Sequence, residues 1–61
     1  MFQKKYKPMG PSDNQEWEPI TDAEALAFAG QNYRDADAAL SSAMDGCELA
    51  SSFAWVRWID D

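Results

Sequence analysis

The chain has no histidine, a single cysteine at Cys47 and few cations: five Lys and Arg against 11 Asp and Glu in 61 residues. Each shortage removes a class of function. General acid–base catalysis most often uses histidine, so the commonest catalytic group is missing. One cysteine closes no internal disulfide, and with no histidine it falls short of the four Cys/His ligands of a structural zinc site. No apolar stretch approaches the roughly 20 residues that cross a bilayer; the longest is 25–29. The segment after Lys4, Lys5 and Lys7 is not apolar either. No signal-peptide core follows that basic start, and a free thiol suits a reducing compartment, so a cytoplasmic location is expected.

The length allows one domain, residues 1–61. A core this small supplies only about 3–5 kcal/mol of net stability and leaves little room for a deep pocket. Ten residues are alanine, which bury little; eight are aromatic, with Trp17, Trp55 and Trp58 the largest. Each large ring buries roughly 150–250 Å², enough for a few to carry a miniature core. That aromatic content separates the chain from acidic disordered tails.

The net charge of -6 divides unevenly, as +3 over residues 1–10, -8 over 11–48 and -1 over 49–61. In the middle segment Arg34 is alone against Asp13, Glu16, Glu18, Asp22, Glu24, Asp35, Asp37, Asp45 and Glu48. Duplex DNA carries a phosphate charge per roughly 1.7 Å of axis, and this field repels it, so direct nucleic-acid binding is not expected. A cationic protein surface complements it instead. Lys4, Lys5 and Lys7 read as the charged edge of a first strand, where lysine discourages aggregation.

The pattern predicts a small α+β fold. Residues 2–9 alternate as a strand, with Phe2, Lys4 and Tyr6 on one face and Gln3, Lys5 and Lys7 on the other. A short strand over 16–20 sets Trp17 opposite Glu16 and Glu18, and Pro19 confines it to an edge. Thr21 and Glu24 form a capping box that opens a helix over 22–29, with Leu26 and Ala29 inward and Gly30 as its stop. A second helix over 33–45 starts at Asn32 or Asp35 and ends at Gly46. Its inward face is Ala36, Leu40, Ala43 and Met44. Residues 51–59 are rich in β-favouring types and predict a central strand beside the first. Phe53, Trp55, Arg57 and Ile59 face one way; Ala54, Val56 and Trp58 face the other. A helix over 48–58 competes for the same residues.

Candidate chemistry is sparse. Asp45 and Glu48 flank Cys47 and disfavour its thiolate, so the thiol reads as a part-buried filler beside the Gly46 turn. Asp35 and Asp37 match the start of a calcium loop, but its oxygen ligand, glycine and closing glutamate fall on Ala39, Leu40 and Gly46. No catalytic set, metal or cofactor is expected, and the chain reads as non-enzymatic. The candidate partner-binding residues are Glu16, Trp17, Glu18, Asp22, Glu24, Asp35, Asp37, Asp45 and Glu48. Trp17 is included because a ring between carboxylates suits a cationic interface.

This profile of a very short chain with those carboxylates and no cofactor motif resembles the small acidic proteins that bacteriophages use against host defence, the DNA-mimic and anti-CRISPR type. The resemblance covers size and charge and no sequence motif. It implies carboxylates standing in for phosphates and a target such as a CRISPR surveillance or nuclease component. The other expectation is a structural subunit that oligomerises through its aromatic C-terminal strand.

Overall fold

The computed structural model describes residues 1–60. Four strands and two helices follow the order β1 (Phe2–Tyr6), β2 (Glu18–Ile20), α1 (Asp22–Asn32), α2 (Ala36–Met44), β3 (Leu49–Ala50) and β4 (Ala54–Trp58). The strands form one antiparallel sheet in the order β2-β1-β4-β3. The fold is therefore α+β, and the first and last strands are neighbours as expected, but β1 is central and not the charged edge that Lys4, Lys5 and Lys7 suggested, because β2 pairs with its other side.

Register explains the two faces of the sheet. Phe2 lies opposite Trp58, Lys4 opposite Val56 and Tyr6 opposite Ala54 on one face; Gln3 opposite Arg57 and Lys5 opposite Trp55 occupy the other. The first face is covered by both helices. Its core consists of Phe2, Ala25, Phe28, Ala29, Ala39, Ala43, Leu49, Ala54 and Val56. Alanines supply five of these nine residues, so the helices come close to the sheet, but each contact buries little area. Val56 is the largest side chain that is fully buried. Trp58 packs edge-on to Phe2 at the core margin, with ring centroids 4.8 Å apart.

Thr21 opens α1 with both halves of the capping box in place. The helix does not stop at Gly30. It runs to Asn32, and Tyr33 is the cap, its N–H donating to the Ala29 carbonyl at 2.8 Å. Gly30 keeps negative φ, so it is an ordinary helical residue and offers no left-handed stop. Asn32 Nδ2 donates to the Phe28 carbonyl at 2.8 Å, folding its side chain back over the last turn. Leu26 is 44% exposed, against expectation, because the buried stripe is Ala25, Phe28 and Ala29 at i, i+3 and i+4.

Asp35 is the N-cap of α2, its carboxylate accepting from the Ala38 N–H at 3.1 Å. The helix therefore begins at Ala36, later than residue 33. Its buried residues are Ala39 and Ala43, while Met44 is 53% exposed and Ala36 and Leu40 pack at the margin. Gly46 does stop this helix, with φ of 105°. Its N–H donates to Ala43 and the Cys47 N–H to Ser42, each at 3.0 Å, the paired bonds of a Schellman motif.

The strand ends also shift. β1 closes at Tyr6 instead of residue 9, although the Lys7 N–H still reaches the Phe53 carbonyl at 2.8 Å. β4 starts at Ala54 because Ser51 turns the chain: its Oγ accepts from Phe53 and Ala54 N–H at 3.2 and 3.1 Å. That turn creates β3, an element the sequence pattern did not reveal. Phe53 consequently leaves the Trp55 face and meets Tyr6 and Phe28 on the helix side. Both sheet edges are guarded. Pro19 withholds a donor on β2, and the Tyr33 hydroxyl accepts from the Ala50 N–H at 2.8 Å on β3.

With so few large core residues, loss of one should be felt at once. Val56→Ala is expected to cost about 2 kcal/mol and to lower the urea midpoint clearly. An unchanged midpoint would show that Val56 does not anchor the core.

Candidate interaction surface

The carboxylates singled out from sequence are exposed, but they do not form one cluster. Glu16 precedes β2, and Glu18 lies in it opposite Lys4. Asp22 and Glu24 occupy the first turn of α1, and Asp37 that of α2. Carboxylates at these helix starts suit the positive end of the helix dipole. Two of them also hold the fold: Glu24 Oε1 accepts from the Thr21 N–H at 3.4 Å, and Asp35 caps α2. Asp35 and Glu48 share the rim of a shallow groove of about 410 Å³ with Arg34 and Cys47. Cys47 is exposed there instead of part-buried, because the Schellman turn projects it outward.

Asp45 is unlike the others. It is the C-cap of α2, and no basic residue lies in that helix's last turn. A carboxylate there opposes the helix dipole.

Trp17 belongs to a different surface. Its ring lies under the Arg57 guanidinium, 4.1 Å from ring centroid to Cζ. Arg57 Nε also donates to Gln3 Oε1 at 3.0 Å. Lys7 Nζ sits 5.3 Å from the Trp55 ring centroid on the same side of the sheet. Gln3, Lys5, Lys7, Trp17, Trp55 and Arg57 are all half-buried. They make a cationic, aromatic face that neither helix covers. The alternation of residues 2–9 and 51–59 placed most of these side chains correctly. Only the register of β1 against β4 brings them together; the sequence set the two strands side by side but did not fix which residues lie opposite.

Lys4, by contrast, points to the helix side. Its Nζ lies 4.8 Å from the Tyr6 ring centroid, 5.7 Å from Phe53 and 5.9 Å from Phe28. The basic start of the chain is thus split between the two faces of the sheet.

Among the described residues, no group of three or more His, Cys, Asp or Glu side chains is placed to hold a metal ion, and no helix is long and apolar enough to cross a membrane. Compared with known protein families, with curated proteins and with solved structures, the chain matches none.

The Trp17–Arg57 stack is measurable by a double-mutant cycle with Trp17→Leu and Arg57→Gln. A coupling of about 0.5–1 kcal/mol is expected for a partly exposed cation–π pair. Strict additivity would mean that the two side chains do not act as a unit.

Proposed function

We propose that this chain is a non-enzymatic binding protein whose acidic surface occupies a positively charged, nucleic-acid-binding partner, in the manner of small phage inhibitors of host defence. The observation that carries this reading is the exposed carboxylate set around α1 and α2, and Asp45 within it above all. A carboxylate at that helix end is mildly unfavourable to folding, and an interface with a cationic surface would make use of it. The partner's chemistry follows from the sign of the surface: a channel or groove of Lys and Arg that takes phosphates also attracts exposed carboxylates. A CRISPR surveillance or nuclease component has such a channel.

Self-association through the aromatic C-terminal strand is less favoured. β4 is paired on both edges, by β1 and β3, so only its open face is available. Two copies meeting there would oppose Lys5, Lys7 and Arg57 to their own counterparts, and like charges across an interface are costly.

Amide substitution separates binding from folding when it spares Glu24 and Asp35, the two carboxylates that cap helices. A variant carrying Glu18→Gln, Asp37→Asn, Asp45→Asn and Glu48→Gln should keep its unfolding midpoint, with Asp45→Asn alone raising stability by about 0.3–1 kcal/mol. In affinity capture from a nuclease-treated bacterial lysate, the natural chain should retain a basic nucleic-acid-binding protein, released by salt. The amide variant should retain about tenfold less, or less still, since exposed charges act chiefly on association. Equal capture by both chains would overturn the reading.

A further inference from the structure

We propose that the uncovered face of the sheet is a second binding surface, for single-stranded DNA, independent of the partner assigned to the acidic helices. The two central strands of the sheet present Gln3, Lys5, Trp55 and Arg57 side by side, with Trp17 and Lys7 at the flanks. Single strands without sequence preference are held by this combination: cations that follow the phosphates and rings on which bases stack. Arg57 is preorganised for the task. Trp17 fixes the plane of its guanidinium and Gln3 takes its Nε proton, which leaves the two terminal nitrogens to face a phosphate. Lys7 rests against Trp55. Its flexible stem can swing to a phosphate and uncover the ring for a base.

The net charge of -6 argues against DNA only if that charge is evenly spread. It is not: the helices carrying Asp22, Glu24, Asp35 and Asp37 lie on the opposite side of the sheet. The helical carboxylates thus face away from a ligand on the sheet, while Glu16 and Glu18 adjoin Trp17 at its flank.

The aromatic content selects among anionic ligands. An acidic peptide needs the cations but makes no use of the Trp55 indole face, whereas every base has a π-face to stack. Proteins distinguish RNA by bonding its 2′-hydroxyl; Gln3 has its Oε1 engaged by Arg57 and only its Nε2 donors free for such a bond. We take deoxyribose as the backbone, with oligouridylate as the control.

The test is fluorescence anisotropy of a labelled oligothymidylate of about 12 nucleotides, within the span one small domain covers, titrated with the full chain at about 50 mM salt. A Kd of about 1–100 µM is expected, with a log–log salt slope near -2 from three phosphate contacts. Trp55→Ala should weaken binding about tenfold and Trp55→Phe should restore it, as expected for stacking. If Trp55→Ala fails to fold, Lys5→Gln with Lys7→Gln decides, since it should bring the slope to about -0.7. The four amide substitutions on the helical side should leave DNA affinity within about twofold. Absence of binding at millimolar protein, a slope of zero, or equal competition by polyglutamate would overturn the proposal. Tighter binding of oligouridylate than of oligothymidylate would overturn the assignment to DNA.

Discussion

Everything in this fold depends on packing two helices onto one face of a four-stranded sheet through alanine. Ala25, Ala29, Ala39 and Ala43 let the helix axes approach the sheet, and Phe2, Phe28, Leu49 and Val56 fill what space remains. The chain has too few large apolar residues to build a second such layer. The other face of the sheet is therefore left to water, and its side chains must be ones that tolerate water. Gln3, Lys5, Trp55 and Arg57 satisfy that condition by combining apolar stems or rings with polar tips.

One-sided packing also sorts the charge. Acidic residues gather at the helix starts, where caps and dipoles favour them, and so the helical layer is anionic. Cations fall on the outward positions of β1 and β4, where they cover the tryptophans. Each arrangement has a local cause in folding, yet together they leave surfaces of opposite character on opposite sides of the sheet. Asp45, at the C-terminal end of α2, is not placed by that cause.

Much of the architecture was legible in sequence. The Thr21–Glu24 box, the Gly46 stop and the period-two alternation of residues 2–6 and 54–58 are local signals, and each marks its element. The misreadings have equally local causes. Gly30 stands in a helix that has two residues still to run, because glycine marks an end only when the chain needs positive φ. Leu26 and Met44 are large and apolar but lie off stripes set by smaller residues, so size misled where spacing decides. β3 is two residues long and exists only through the Ser51 turn and its pairing with β4, which no short window displays. The same holds for the cationic face. Lys5, Trp55 and Arg57 were visible as outward residues, but long-range register alone joins them, so the charge profile along the chain described the acidic side and concealed the basic one.

The central claim is that a molecule of net charge -6 presents a locally positive face around Trp55. Ionic quenching of tryptophan fluorescence tests it directly, in a chain where Trp17 and Trp58 are replaced by phenylalanine and far-ultraviolet circular dichroism shows the fold intact. Iodide, drawn to Lys5, Lys7 and Arg57, should quench Trp55 more strongly than caesium does, each taken relative to free tryptophan. Stronger quenching by caesium would mean that the acidic charge reaches the sheet face, and would contradict the account.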